Sequence, residues 1–172
     1  QEVLDMGLYG IAMSRFSGAR LGYKLLPETI ETAASIRAGF DDLKIEIPEF
    51  EFPADGVNSR NGDMWFNQEN RIRRFKLPAA VAFARANKLN RVTHDSGNAR
   101  FGIAAMGKTW RDTLQALNEL GLDENRLQQL GVRILKVAMP FPVDNETYRE
   151  FAEGLEEILV IEDKREQIEN AI

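Results

Sequence analysis

Residues 100–120 read RFGIAAMGKTWRDTLQALNEL, and this stretch decides the fold class. Its first part, residues 100–106, is short and apolar, which is typical of a buried β-strand. Its second part, residues 109–120, places Trp110 and Leu117 at helical spacing and so predicts an amphipathic helix. A buried strand that runs directly into such a helix is the repeating unit of an α/β protein.

The same alternation continues to the end of the chain. The pattern predicts a short helix over residues 124–130, a strand over 132–138, a helix over 146–155, a strand over 158–161 and a final helix beginning near Lys164. A strand-like piece, residues 91–95, comes before them. Apolar strands separated by helices form a parallel sheet that is covered on both faces. We therefore expect residues 89–172 to fold as a three-layer α/β/α sandwich with a mainly parallel sheet.

The first half of the chain has a less regular pattern. It predicts helices over residues 3–16, 28–36 and 67–87, and strands over residues 20–26 and 44–47. Pro78 should kink or restart the last of these helices, because proline has no backbone donor. Residues 48–63 contain two Pro and two Gly and form a long irregular stretch, which is the best candidate for a domain boundary.

The composition excludes several classes of site. The chain has no cysteine and a single histidine, His94, so it cannot build a thiolate site, a Cys-ligated iron–sulfur cluster or a cluster of histidine ligands. No apolar run approaches the ~20 residues of a membrane span, and we expect no membrane partner. The start at Gln1 lacks an initiator Met and the features of a secretory signal. We expect an excised or processed piece of a cytoplasmic protein.

The net charge of −5 hides an asymmetry along the chain. Residues 69–100 carry eight bases and two acids, whereas residues 144–169 carry ten acids and three bases. We interpret both as solvated surfaces; the alternative is an interaction module that self-associates in a salt-sensitive way. The basic run offers only Phe75 and Phe83 for base stacking and matches no nucleic-acid-binding module, so we expect no nucleic-acid partner.

Residues 102–109, GIAAMGKT, match the phosphate-loop pattern G-x-x-x-x-G-K-[ST] letter for letter. A phosphate cradle needs its variable residues in a loop, whereas residues 103–106 have the pattern of the strand itself. A weaker anion site remains, because Gly107, Lys108 and Thr109 place backbone donors and an ammonium group at a helix N-terminus. A small phosphate- or nucleotide-binding domain using this turn is therefore one hypothesis. The alternative is that Gly107 makes a tight turn and Thr109 caps the helix.

Two other groups of residues could carry chemistry. His94, Asp95 and Ser96 are consecutive, but neighbours on a strand point to opposite faces, so adjacency does not build a catalytic relay. We expect a turn there. Glu28 and Glu31 would share a helix face and could form a carboxylate pair for acid–base work. These patterns predict no catalytic residue and no metal ligand.

Several stretches together resemble one family, the long fused form of indolepyruvate ferredoxin oxidoreductase. They are LDMGLYGIAMSRFSG (4–18), ETIETAAS (28–35), PADGVN (53–58), AFARAN (82–87), residues 102–117, KVAMPFP (136–142) and FAEGLEEILVIEDKR (151–165). They follow one order along essentially the whole chain, so the resemblance is more specific than any single motif. Residues 61–65 and 94–97 look like the family only loosely, which leaves the oxoacid open.

The resemblance implies a parent enzyme that decarboxylates an aryl 2-oxoacid on thiamine diphosphate and Mg, passes electrons through 4Fe–4S clusters to ferredoxin, and forms an acyl-CoA. It implies that residues 1–36 end a thiamine-pyrimidine-binding domain, residues 37–88 form a linker and the helix leading onward, and residues 89–172 form a transketolase C-terminal-like domain. The family's cluster-binding cysteines and diphosphate–magnesium motif have no counterpart here. We therefore expect an inactive structural and assembly fragment without a cofactor of its own. Its partners would be the remaining domains of the parent chain, ferredoxin for the parent enzyme, and further copies in a homo-oligomer.

Overall fold

The computed structural model describes residues 1–33, 35, 43–58 and 60–172, which divide into two compact units, residues 1–87 and residues 88–172. The first unit contains α1 (Glu2–Ser17), α2 (Pro27–Ile30), α3 (Trp65–Arg71), a π-helical turn (Ile72–Lys76) and α4 (Leu77–Ala86). The second unit contains β1 (Arg91–Asp95), β2 (Phe101–Met106), α5 (Gly107–Glu119), α6 (Glu124–Leu130), β3 (Val132–Val137), α7 (Asn145–Ala152) and β4 (Glu157–Ile161).

The strands of the second unit form one four-stranded sheet in the order β1-β3-β2-β4. β2 runs parallel to both of its neighbours, and Ile103 pairs with Ile134 of β3 and with Leu159 of β4. β1 lies at the edge of the sheet and runs antiparallel to β3, and the pairing register of the two strands shifts between Val92 and His94. The predicted mainly parallel sheet is confirmed.

Both faces of this sheet are covered. On one face Leu135 packs in a buried cluster with Phe151 of α7. On the other face Ile134 packs with Leu127 of α6 and with Trp110 of α5. Because side chains alternate along a strand, the consecutive residues Ile134 and Leu135 enter opposite layers. The predicted three-layer α/β/α sandwich is therefore confirmed.

The first unit is built around an aromatic cluster. The ring centroid of Phe16, near the end of α1, lies 5.3 Å from that of Phe52 and 5.9 Å from that of Phe83 in α4. The ring centroids of Phe50 and Phe52 lie 4.9 Å apart. The predicted first helix is confirmed as α1. It ends at Gly18, whose φ of 68° is the left-handed conformation that closes helices and favours glycine.

The two strands predicted in the first unit are wrong. Residues 20–26 form no strand, because none of the described residues pairs with them as a strand, and the hydroxyl of Tyr23 instead donates to the carbonyl of Val3 at 2.9 Å. Residues 44–47 are likewise not a strand: the side-chain amide of Asn87 bonds both the N–H and the carbonyl of Glu46, each at 2.8 Å. A side chain thus takes the place of a neighbouring strand.

The predicted helices of the first unit need two corrections. The helix expected over residues 28–36 ends at Ile30 as α2, and residues 34 and 36 lie outside the described residues. The helix expected over residues 67–87 is confirmed as one helical run, but it contains the π-helical turn. Pro78 lies in the first turn of α4, where its missing N–H is tolerated, so the helix restarts there as predicted.

The helix predicted from Lys164 onward is wrong. The carboxylate of Glu162 accepts the backbone N–H groups of Gln167 at 3.0 Å, Ile168 at 2.8 Å and Glu169 at 3.2 Å. These bonds fold the segment into turns, and Ile168 is fully buried in the cluster beside α7. Ile168 is therefore held in the core by turns and not by a helix.

Arg71 of α3 is joined to the irregular stretch by an ion pair. Its guanidinium donates to the two carboxylate oxygens of Asp55 at 3.0 and 2.9 Å, and to the carbonyl of Gly56 at 2.6 Å. The hydrogen bond from Arg71, assisted by the nearby charge of Arg60, lowers the pKa of Asp55 from its ordinary value of 3.8 to about 2. A carboxyl with a depressed pKa stabilises the folded state above its unfolded pKa and loses that contribution as the pH falls through the folded one.

We expect Asp55→Asn to remove this pH dependence. The wild-type thermal midpoint should fall as the pH drops from about 4 to about 2, by a modest amount because the pair is half-exposed, whereas the variant should start slightly lower and change less over that window. Circular dichroism melts at half-unit pH intervals measure this. Glu49→Gln, which removes an exposed carboxyl of the same unit, should keep the wild-type slope. An equally steep fall in Asp55→Asn would contradict the assignment.

Candidate functional site

The carboxyl ends of β2, β3 and β4 meet at one edge of the sheet, which we call the carboxyl edge (residues 106–109, 138–144 and 161–163). Ligands of open α/β sheets bind at such edges, because helix N-termini and loops converge there. The predicted anion-binding residues Gly107, Lys108 and Thr109 all lie at this edge, in the first turn of α5. It is therefore the candidate functional site of the second unit.

The phosphate-loop pattern is a strand and not a loop. Residues 103–106 lie within β2, as predicted, so no backbone cradle exists between the two glycines. Gly102 has a different role: a Cβ there would lie 2.5 Å from Cδ1 of Leu155 and 2.9 Å from Cζ of Phe151. Close packing against the α7 side of the sheet therefore explains the first glycine of the pattern.

Thr109 connects the ends of two strands. Its hydroxyl oxygen lies 2.9 Å from the carbonyl oxygen of Met106, at the end of β2, and 2.9 Å from that of Ile161, at the end of β4. It does not cap α5, since Met106 occupies the cap position and no side chain bonds there. The hydroxyl thus fixes the spacing of β2 and β4 where the candidate site begins.

Lys108 and Gly107 complete this turn. The ammonium group of Lys108 lies 2.6 Å from a carboxylate oxygen of Asp112, and both side chains are exposed. Gly107 has a φ of 55° with open space where a Cβ would lie, so its backbone conformation is what favours glycine. The structure brings the three predicted residues together but already pairs the lysine with a carboxylate and the threonine with carbonyls. The anion site stays a prediction.

We expect Thr109→Val to lower the free energy of unfolding by about 1 kcal/mol, because the bonds between the hydroxyl and the strand-end carbonyls are lost. Thr109→Ser keeps the hydroxyl and is the matched control, which should retain most of the stability. Urea denaturation followed by circular dichroism measures both variants. A serine variant as unstable as the valine variant would assign the effect to the methyl group instead.

Asn90 organises the loop that follows β3. Its side-chain oxygen accepts the N–H groups of Ala138 at 2.9 Å and Met139 at 2.8 Å, and its amide nitrogen donates to the carbonyl of Met139 at 3.1 Å. Asn90 is buried, so these backbone groups have little access to water. Sequence reasoning missed this residue, because nothing in its neighbourhood signals partners so far along the chain.

Tyr148 of α7 carries a buried hydroxyl for which the described residues provide no hydrogen-bond partner. Burial, followed by the negative charges of Glu162 and Asp144, raises the pKa of Tyr148 to about 12. Asp144 is itself buried and accepts the hydroxyl of Thr147 at 2.6 Å, at the N-terminus of α7. The phenol of Tyr148 therefore stays neutral near neutral pH and can donate a hydrogen bond.

Lys136 of β3 was also missed. Its side chain is only 5% exposed, and its ammonium nitrogen lies 4.0 Å from the centroid of the Trp110 ring on the α5 side of the sheet. A cation over an indole face gains electrostatic stabilisation that partly replaces lost water. A lysine inside an apolar strand is the signal that could have identified it.

The remaining predicted residues are not brought together. Asp95 of β1 accepts the N–H of Gly97 at 3.0 Å and the Nε of Arg133 at 3.1 Å, which is the expected turn chemistry joined to a cross-strand ion pair. Glu28 and Glu31 lie at opposite ends of α2 and are both exposed. Neither arrangement positions an acid and a base around a common substrate position.

The donor groups of this chain do not fit the redox cofactors implied by the family resemblance. Without cysteine the chain has no thiolate for a 4Fe–4S cluster. Within residues 1–33, 35, 43–58 and 60–172, no group of three or more His, Cys, Asp or Glu side chains could hold a metal ion. None of the helices in these ranges has the length and apolar character needed to cross a bilayer.

The second unit matches a known family. The family model described as "Indolepyruvate oxidoreductase domain" matches residues 91–172, which comprise the whole sheet and its helices. Residues 91–172 belong to the indolepyruvate oxidoreductase domain family. The family resemblance noted from the sequence is thereby confirmed.

Curated relatives of the indolepyruvate oxidoreductase domain are oxidoreductase subunits. Indolepyruvate oxidoreductase subunit IorA of Methanothermobacter marburgensis is 32% identical over 88 residues, covering 51% of this chain and 13% of the relative. The subunit IorA of Pyrococcus horikoshii is 33% identical over 75 residues, covering 44% of this chain and 10% of the relative. The chain thus spans only a small part of the length of these relatives.

A solved structure with some likeness is a 2-oxoglutarate:ferredoxin oxidoreductase from Magnetococcus marinus with 2-oxoglutarate, coenzyme A and succinyl-CoA bound. It is 18% identical with a TM-score of 0.42, and the alignment covers 77% of this chain and 22% of that chain. The match of residues 91–172 to the family model is what assigns the indolepyruvate oxidoreductase domain.

Proposed function

We propose that the chain is a supporting part of a thiamine-diphosphate-dependent enzyme that oxidatively decarboxylates an aryl 2-oxoacid such as indolepyruvate. In this proposal the parent enzyme is a cytoplasmic oligomer that transfers electrons to ferredoxin and forms an acyl-CoA. Residues 1–36 would end the pyrimidine-binding domain, and residues 89–172 would be the transketolase C-terminal-like domain. The chain itself contributes packing and assembly, and no reaction step.

The observation that carries this proposal is the match of residues 91–172 to the indolepyruvate oxidoreductase domain. The state of the candidate site supports a non-catalytic role. Thr109 is engaged with strand carbonyls, Lys108 is paired with Asp112, and the phenol of Tyr148 is held neutral by burial. These three side chains are thereby not prepared as a base or nucleophile at neutral pH.

The first test measures activity. The 172-residue chain is incubated with indolepyruvate, coenzyme A, thiamine diphosphate, Mg²⁺ and oxidised methyl viologen, and dye reduction is followed by absorbance. We expect no reduction above the protein-free control, and clear reduction by the longer parent protein under the same conditions. Turnover by the chain alone would refute the supporting role.

A second test separates support from catalysis in the parent protein. Gly102→Val places methyl groups where a Cβ alone already meets Leu155 and Phe151, so it should lower the amount of assembled enzyme. We expect the molecules that do assemble to keep the wild-type KM for the oxoacid. Full assembly with an altered KM would mean that this domain contacts the substrate.

A further inference from the structure

The two edges of the sheet in the second unit differ in how well they resist pairing with a further strand. At one edge, β1 carries the charged residues Arg91 and Asp95, and its register shifts between Val92 and His94. Charges and register shifts of this kind keep an edge strand from pairing with another chain. At the other edge, β4 pairs with β2 in unbroken register, and its residues 158–161 are all aliphatic. No strand among the described residues lies beyond β4.

The backbone groups of β4 alternate between the β2 side and the free edge. The N–H of Glu157 donates to the carbonyl of Arg100, just before β2, at 3.3 Å. The carbonyl of Ile161 also lies on the β2 side, where it accepts the threonine hydroxyl of α5. Because backbone groups alternate along a strand, the N–H and carbonyl groups of Ile158 and Val160 point to the free edge. This edge therefore presents two donors and two acceptors.

Leu159 lies in the middle of this edge and is 57% exposed. It pairs with Ile103 of β2, which packs in the cluster on the α5 side of the sheet, so Leu159 lies on that side as well. Its neighbours Ile158 and Val160 pack against the cluster on the α7 side. The edge thus combines unpaired backbone groups with an exposed apolar side chain, which are the features used in recognition by strand addition.

We propose that β4 pairs in antiparallel orientation with β4 of a second copy of this chain, about a two-fold axis at Leu159. In this register Ile158 lies opposite Val160 of the second copy, and the outward groups of the two strands form four backbone hydrogen bonds. Leu159 lies opposite Leu159 of the second copy, so both side chains are removed from water. The inference is independent of the proposed function, because it depends on strand geometry and requires no turnover.

The charges of β4 favour a second copy as the partner in this register. Glu157 of the second copy comes opposite Ile161, at the end of β4 that lies beside the N-terminus of α5, since Thr109 bonds the carbonyl of Ile161 at 2.9 Å. The first six residues of α5 carry two bases and one acid, a net charge of +1. A carboxylate beside a helix N-terminus is stabilised, and the two-fold axis repeats this contact.

The like charges at the ends of the paired strands are already engaged. The register brings Glu156 opposite Glu162 of the second copy. Within its own chain Glu156 pairs with Arg100 at 2.6 Å, and Glu162 accepts backbone N–H groups of residues 167–169. Moving the axis to Val160 would instead place the exposed carboxylates of residues 157 and 163 opposite each other, which is destabilising.

The test is sedimentation velocity of the 172-residue chain at increasing concentration. A single strand edge is a small interface, so we expect a reversible dimer with a Kd of about 10–100 μM. Leu159→Lys places two ammonium groups opposite each other and should weaken dimerisation at least about tenfold. Leu120→Lys makes the same change at a position of the same unit that is 73% exposed. It is the matched control and should dimerise like wild type.

Charge reversal tests the position of the axis. Leu159→Glu alone should also be monomeric, whereas an equimolar mixture of Leu159→Lys and Leu159→Glu should dimerise, because opposite charges then face each other. We expect this rescue only where the residue lies opposite itself. A mixture of the two folded variants that stays monomeric would refute the register.

Hydrogen exchange of the wild type gives a readout that needs no variant. The amides of Ile158 and Val160 should exchange more slowly as the chain concentration rises through the Kd, because they become bonded in the dimer. A wild-type chain that stays monomeric throughout, or a dimer in which these amides and the Leu159→Lys variant behave as before, would overturn the proposal. Pairing of β4 with a strand of another protein while the chain itself stays monomeric would do the same.

Discussion

Replacement of Phe151 by alanine is expected to lower the free energy of unfolding of the indolepyruvate oxidoreductase domain by about 3–5 kcal/mol. Phe151 is 1% exposed and lies in the cluster that joins α7 to the sheet, together with Leu135 and Ala104. Its removal leaves a cavity, because Gly102 beneath it has no side chain that could fill the space. This is the largest effect we expect of any single substitution discussed.

Urea denaturation followed by far-ultraviolet circular dichroism measures the loss. Phe141→Ala is the matched control: it makes the same chemical change in the same unit, but Phe141 is 69% exposed. We expect the control to change the unfolding free energy by less than about 0.5 kcal/mol. Similar losses in the two variants would mean that Phe151 does not anchor α7.

The second large effect is expected for Asn90→Ala, which should cost about 2–4 kcal/mol, because the buried N–H groups of Ala138 and Met139 both lose their acceptor. Asn90→Asp keeps an acceptor for both N–H groups, but it buries a carboxylate whose second oxygen faces the carbonyl of Met139. It should therefore destabilise through that repulsion and not through loss of the two acceptor bonds. Asn118→Ala, at an exposed helical position, is the control and should leave stability unchanged or slightly raised.

Hydrogen exchange gives a local measure of the same prediction. In Asn90→Ala the amides of Ala138 and Met139 should exchange faster than in wild type, beyond the increase seen at core amides of β3. Uniformly faster exchange across the sheet would show a global loss of stability without a specific role for Asn90. Unchanged exchange at these two amides would contradict the hydrogen bonds themselves.

The second unit could be predicted from sequence because its signals are local. The strands are short apolar runs, and glycines such as Gly121 and Gly131 adopt the positive φ that ends or follows a helix. The first unit lacks such signals. The alternation around Glu46 predicts a strand, but the partner of its backbone is the side chain of Asn87, which is 41 residues away. Periodicity carries no information about such a partner.

For the same reason the sequence predicted only part of the candidate site. The sequence correctly placed Gly107, Lys108 and Thr109 in one turn after a strand. It did not reveal that the Thr109 hydroxyl reaches Ile161, which is 52 residues further along, or that Asn90 holds a loop 49 residues away. These contacts exist only once the strands of the sheet have assembled, so they depend on the tertiary fold and not on neighbouring residues.

The strand order has a consequence for how the protein is synthesised. β2 lies between β3 and β4, and both of these neighbours follow it in the chain. During translation β2 therefore emerges before either strand that will protect its edges, and β4 completes the sheet only after Ile161 has been made. Until then an aliphatic strand edge is open to pairing with other nascent chains, the situation in which aggregation competes with folding. A chaperone that shields residues 101–106 during this interval would be expected to raise the yield of folded protein.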